Sequence, residues 1–284
     1  MALFIKRFTR YCGSTRLAWL LVINVGVFLA LLVATLIFNL SGARGNHTIG
    51  WFCVPADPMK FIMVPWTLVT YMFVQYDFWH LLFNVLWLFW FGRLLLTTLS
   101  GRHLVFLYLG GGIAGAILYL VFQAIFPAFP PANSYLCGAS AAVLAIIVSV
   151  GIRTPDMEIL LFLFGNVRVK WIALVCVLLT FLGVGGSTGG AQVAHVGGVI
   201  FGVTFAMNLK RGKDISAKFK IPALKGIKTP KLDKKIVSRR ERNVENARKA
   251  IEGRLSDVTR LDQLLDKIRT SGYDSLTLLE KNEL

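Results

Sequence analysis

Residues 194–202 read Ala-His-Val-Gly-Gly-Val-Ile-Phe-Gly, and they open an apolar run that reaches Leu209. Gly198 and Gly202 stand one helical turn apart. Small residues at that spacing let two helix backbones approach closely, which is how helices associate where lipid removes the hydrophobic drive between them. The ionisable His195 stands just ahead of this face. An imidazole inside a membrane span is costly and is kept for a purpose, and this one is directed at the neighbouring helix. The stretch therefore predicts a membrane helix buried in a bundle, with a histidine facing its partner.

Working outward, five more segments approach the roughly 20 apolar residues needed to cross about 30 Å of hydrocarbon. The six fall at 17–40, 79–99, 104–127, 137–152, 170–187 and 192–209. The fourth and sixth are short and rich in Gly, Ala and Ser, so they belong inside the bundle. Composition agrees, with 284 residues, 55% of them hydrophobic, and a mean hydropathy of +0.63. Charge is concentrated at the end of the chain, where residues 209–284 carry 20 Lys/Arg against 11 Asp/Glu. The rest holds four acidic residues, Asp57, Asp77, Asp156 and Glu158. The chain divides into a segment at 1–16, a membrane domain at 17–209, a basic linker at 210–240 and a helical tail at 241–284.

Lys and Arg cluster before residue 17, at Arg93 and Arg102, at Arg153, Arg168 and Lys170, and from Lys210 onward. The alternate connections are poor in them. By the positive-inside rule both termini are cytoplasmic, in the plasma (inner) membrane. Basic flanks of this kind meet anionic lipid, so no nucleic-acid partner is expected. The first span is too long for a signal-peptide core and reads as a retained anchor. The 41–78 connection is rich in aromatics, including Trp51, Trp66, Tyr71 and Trp79, and predicts short helices in the outer interface. Gly165-Asn166 marks a turn. The four cysteines lack metal-ligand spacing, so no metal or cofactor is expected; Cys53 and Cys137 share the outer side and are expected as free thiols. In the tail, apolar residues recur at heptad spacing from Asn243 to Arg269, a helix suited to a protein partner or self-association. Gly272 stops that helix, and Thr277 with Glu280 fits a capping box.

Three spans begin with polar residues at roughly one depth: His80 and Asn84 in the second, Gly138 and Ser140 in the fourth, and His195 in the sixth. Each has a plainer reading alone. A serine in a membrane helix bonds back to a carbonyl of its own helix, an end-of-span histidine is interfacial, an asparagine bridges helices, and glycines pack. Together they supply a nucleophile, an adjacent base and oxyanion donors. Gly138 permits an unusual turn before Ser140, and a helix start offers free amides to developing negative charge. His80 and Asn84, four apart, share one helix face. No in-span carboxylate is placed to complete a triad, which leaves a Ser–His dyad.

HxxxN in the second span, GxS opening the fourth and AHxxGxxxG in the sixth resemble the rhomboid intramembrane proteases, over about residues 17–209. The resemblance implies an all-α polytopic fold, a six-transmembrane-helix core with a short helical cytoplasmic tail. It implies a serine endopeptidase cleaving transmembrane segments of single-pass membrane proteins, with Ser140 as nucleophile and His195 as base. It further implies His80, Asn84 and the backbone at Gly138 and Ser140 as oxyanion stabilisers. Residues 270–284 resemble an extension found on rhomboids of Bacteroidetes-type bacteria. Three positions depart from the common pattern: Ala141 follows the serine where many members have glycine, Leu144 stands where many have a tyrosine, and Thr67 follows Trp66 in place of an arginine. Two rival readings are a non-catalytic rhomboid-like protein that binds or escorts membrane clients and a solute transporter. Retention of both Ser140 and His195 counts against the first, and the lack of charged in-span pairs or a repeat counts against the second.

Overall fold

The structure, a computed structural model, describes residues 2–41, 47–126, 134–161, 165–182, 189–219, 262–277 and 279–280. Six apolar helices make the membrane domain: α2 (Thr15–Leu40), α6 (Phe78–Thr98), α7 (Gly101–Ile125), α8 (Ser140–Arg153), α9 (Val169–Leu182) and α10 (Gly189–Lys210). Four of them are long and apolar enough to cross a bilayer, and α8 and α9 are shorter. The fold is an all-α polytopic membrane bundle.

The short α8 organises the rest. At 14 residues it rises only about 21 Å, at roughly 1.5 Å per residue. A helix that short cannot reach both membrane surfaces, and it does not face lipid: every residue from Ala141 to Gly151 is buried. Helices α6, α7, α9 and α10 enclose it. Lipid-facing chemistry falls to the outer helices, as on α2, where Leu29, Leu32, Val33 and Leu36 are exposed. Lipid tails are as apolar as leucine, so such exposure has no cost there.

The connection before α6 folds into short helices, α3 (His47–Phe52), α4 (Pro58–Met63) and α5 (Thr67–Thr70), and a 3₁₀ turn at Tyr71–Phe73. Trp66 Nε1 donates to the Trp51 carbonyl at 2.8 Å, and the two indoles stack with centroids 6.0 Å apart. Strand β1 (Val54–Pro55) pairs antiparallel with β2 (Tyr135–Leu136). Strands β3 (Glu158–Leu161) and β4 (Gly165–Arg168) form a second antiparallel ribbon; Gly165 and Asn166, expected as a turn, instead lie in β4 opposite Leu161 and Leu160. Residues 1–16 are a charged N-terminal flank by composition, and part of that flank, residues 2–12, is helical. This helix, α1 (Ala2–Cys12), has Cys12 buried and Tyr11 stacked on Phe89 of α6 beneath the Arg93 guanidinium.

The chain forms two compact units, Met1–Pro222 and Ala223–Leu284. In the second, a helix at 262–271 ends at Gly272, where φ is +80°. The Thr277 amide donates to Glu280 Oε2 at 2.8 Å and the Glu280 amide donates to Thr277 Oγ1 at 3.3 Å. This is the reciprocal cap expected there. The heptad pattern upstream of residue 262 lies outside the described residues.

Candidate active site

The strand pair β1–β2 sets the approach to Ser140. Its register matches Val54 with Leu136, so Cys53 and Cys137 are the next residues along the ladder. Their Cα atoms stand 5.2 Å apart and the sulfurs are joined as a disulfide. The expectation of free thiols is thereby corrected. Its physical cause is a ribbon of two residues per strand, closed across 84 residues, too short to leave a periodic trace. Gly138 follows at φ +122°, a backbone state open to glycine at little cost. Its amide donates to the Tyr71 carbonyl at 3.0 Å. That amide is thus committed to the scaffold, and what Gly138 supplies at the site is its turn and its missing side chain. Ala139 then caps α8, and Ser140 is its first residue. The opening amides of α8 have no intrahelical acceptor and gather the positive end of the helix dipole.

Helix α10 brings the histidine. A Cβ built on Gly198 would collide with the Ala141 carbonyl oxygen, and one on Gly202 would lie 2.5 Å from the Ala145 oxygen. The two glycines therefore do what their spacing predicts and draw α10 against α8. One turn before Gly198, His195 Nε2 lies 2.5 Å from Ser140 Oγ. The other ring nitrogen, Nδ1, lies 2.9 Å from Gln192 Oε1.

His80 of α6 completes the inner face. The Tyr76 amide donates to its Nδ1 at 3.3 Å, and the rings of Tyr76 and His80 stack 5.8 Å apart. With Nδ1 accepting, the neutral ring carries its proton on Nε2. That nitrogen faces Gly138: a Cβ there would fall 2.8 Å from it and 3.7 Å from Ser140 Oγ. Asn84, one turn along, donates through Nδ2 to Gln75 Oε1 at 2.9 Å. Gln75 Nε2 in turn donates to Asn24 Oδ1 at 3.2 Å, and Asn24 Nδ2 to the Tyr108 hydroxyl at 2.9 Å. The structure thus gathers Ser140, His195, His80 and Gly138 at one point and ties Asn84 into a buried polar chain behind them.

A hydroxyl bonded to an imidazole nitrogen beside a helix start has the parts needed for acyl transfer: a proton acceptor for the attacking oxygen and donors for an oxyanion. Among the described residues no cluster of His, Cys, Asp or Glu could hold a metal ion. The sequence reading missed Gln192, Gln75, Tyr76 and Asn24. Gln192 left one usable trace, its position three residues before His195 on a helix.

Residues 64–212, which hold all of these groups except Asn24, match the family model of the Rhomboid domain. The chain is also similar to Rhomboid protein 1, mitochondrial, of Saccharomyces cerevisiae (strain ATCC 204508 / S288c), at 30% identity over 141 residues. That stretch covers 49% of this chain and 40% of the yeast protein, so the chain matches less than half of that relative's length. The chain belongs to the rhomboid family.

Proposed function

We propose that this protein is an intramembrane serine endopeptidase that cleaves transmembrane segments of membrane-anchored proteins. The observation that carries the reading is the contact of Ser140 Oγ with His195 Nε2 at 2.5 Å, made by two helices that glycines hold together. In the reaction Ser140 Oγ attacks the carbonyl carbon of the scissile peptide as His195 Nε2 takes its proton. His195 then gives that proton to the leaving amine, which leaves an acyl-enzyme on Ser140. Water, losing a proton to the same nitrogen, attacks the ester; the Ser140 Oγ–acyl bond breaks as His195 returns that proton to Oγ, releasing the new carboxylic acid, which ionises to the carboxylate. The oxyanion lies against His80 Nε2–H and the first amides of α8. Asn84, with one Nδ2 hydrogen given to Gln75, has its second to offer the oxyanion from the same helix face.

Substrates are single-pass proteins whose helices unwind readily near small residues, because a helical peptide bond is shielded from attack. The protein lies in the cell's inner (plasma) membrane with both termini in the cytoplasm. Two observations support this orientation: Lys and Arg gather on one set of connections, and the disulfide lies on the other, where an oxidising compartment keeps it. The basic linker lies on anionic lipid, and the tail helix binds a protein partner or a second copy of itself.

The test is incubation of the full-length protein with a single-span substrate in lipid vesicles, comparing wild type with Ser140→Ala and His195→Ala. Cleavage by wild type alone, with fluorophosphonate labelling lost in Ser140→Ala, is the expected result. Equal cleavage by all three variants rules out the dyad. Substrate binding by wild type with neither cleavage nor labelling identifies a client-binding relative instead.

A further inference from the structure

A base without a carboxylate behind it still needs its ring held. A neutral imidazole has one N–H, and only the tautomer with the proton on Nδ1 presents a lone pair to Ser140. In serine hydrolases with a third residue, that residue selects the tautomer and aims the ring. In this chain, no carboxylate of the described residues hydrogen-bonds His195. Of the titratable groups around the site, His80 on α6 sets its Nε2 over Gly138, Asp77 caps that helix through the His80 amide, and the Tyr71 hydroxyl borders Gly115 together with the Ala194 carbonyl. Tyr71 is committed elsewhere, donating to the Gly112 carbonyl at 2.6 Å.

The geometry points to Gln192 as the positioning residue of the dyad: its Oε1 accepts the His195 Nδ1–H and so holds the Nε2 lone pair on the Ser140 hydroxyl. Three observations converge. Gln192 Oε1 is 2.9 Å from Nδ1, within ordinary hydrogen-bond range. The two residues are three apart on α10, so one helix surface sets their separation. The opposite nitrogen of the same ring makes the Ser140 contact. An amide oxygen has no proton to give, so in this orientation it pairs with the Nδ1–H form of the ring. When His195 takes the serine proton, the amide dipole still points its negative end at the ring. The imidazolium is then held by a dipole and not by a full countercharge. Among the described residues, this amide is the polar group bonded to Nδ1.

This inference rests on the proposed protease function, and its test separates the two. Full-length wild type, Ser140→Ala, Gln192→Leu, Gln192→Glu and Gln192→Asn are assayed in vesicles with a single-span substrate. Fluorophosphonate inactivation rates, which do not need substrate docking, are measured on the same preparations. Gln192→Leu is expected to lose about 10- to 100-fold in kcat, less than the roughly 10⁴-fold loss when the aspartate behind a triad histidine becomes an amide, because a neutral acceptor holds the ring more weakly than a carboxylate. Its KM stays within about twofold, since an orienting group acts on the chemical step, and inactivation slows in parallel. Gln192→Glu keeps an acceptor and adds a countercharge, so it retains turnover. The acidic limb of its kcat/KM profile moves to higher pH, because a carboxylate stabilises the protonated ring. Gln192→Asn, one methylene short, falls between.

Wild-type kcat and inactivation rate in Gln192→Leu would overturn the inference. So would an equal loss in Leu and Glu variants with an unmoved acidic limb, the result of a packing role alone. Absence of both cleavage and labelling in wild type would instead overturn the function reading beneath it.

Discussion

His80 shows how one side chain's role follows from what its far nitrogen does. The Tyr76 amide occupies Nδ1, so the proton sits on Nε2, above the glycine beside Ser140. On the proposed mechanism, replacing it removes a donor aimed at developing charge. His80→Ala is expected to lower kcat by about 10²–10³-fold, the usual loss for one oxyanion donor, with KM little changed; full turnover would show the oxyanion held by backbone alone. Gly138→Ala tests the other side of the contact, since a methyl group would meet the ring at 2.6 Å on a backbone at φ +122°. Both Ser140 and His195 were legible in the sequence, Ser140 because it opens its span two residues after Gly138 and His195 because it is the one histidine of the sixth span. Gln192 was not, because a glutamine near a helix start acquires meaning only once the ring it faces is known. Gly138 was legible as a special turn but not as a committed donor, since the Tyr71 carbonyl that takes its amide lies 67 residues away (138 minus 71).

Among elements, α8 and α10 were readable from small-residue spacing, and their contact follows from it. Gly198→Val places branched carbons where the Ala141 backbone lies. Overpacking of a tight core typically costs about 1–3 kcal/mol, and here relief requires α10 to back away and take His195 with it. The expected result is a lower thermal midpoint together with loss of cleavage, whereas an unchanged midpoint would mean the helices are not pressed together at that turn. The ribbon of β1 and β2 was illegible, and with it the disulfide. A two-residue strand has no periodicity to detect, and pairing over 84 residues is a tertiary fact. The disulfide joins the interfacial connection directly to the turn ahead of Ser140. For a soluble chain a loop of that length would contribute about 4–5 kcal/mol through lost unfolded-state entropy. Helices α6 and α7 lie within the loop, so if they persist in the unfolded ensemble the effect is smaller. The double variant Cys53→Ser/Cys137→Ser is expected to melt earlier and turn over more slowly than wild type. Reductant should reproduce both changes in wild type and leave the double variant unaffected.

Across the whole molecule, the site occupies one end of the bundle and a second polar grouping ties together the other. Asp214, just past α10, accepts from Arg102 Nη2 at 2.7 Å and lies 3.3 Å from His103 Nε2, both near the start of α7. The Ser100 amide donates to His103 Nδ1 at 3.1 Å, so the histidine bridges a helix start to the carboxylate. Ser100, His103 and Asp214 share residue types with a catalytic triad, but here the serine caps a helix and Arg102 claims the acid. The clasp ties the end of α10 to the start of α7. Burial alone would raise the Asp214 carboxyl, but hydrogen bonds from the Ser216 hydroxyl and amide and from His103 outweigh it, holding the group below its ordinary value of 3.8. A carboxylate depressed in the folded state adds stability that is fully present above its unfolded pKa. That stability is lost as pH falls through the lower folded value. The thermal midpoint of wild type should therefore drop relative to Asp214→Asn on acidification below about pH 4, near the unfolded carboxylate value. Above about pH 5 the variant should be the less stable by a constant amount of up to about 1 kcal/mol, the range of a partly exposed ion pair. Parallel midpoint curves for the two proteins from pH 3 to 7 would show that this carboxylate does not hold α10 in place.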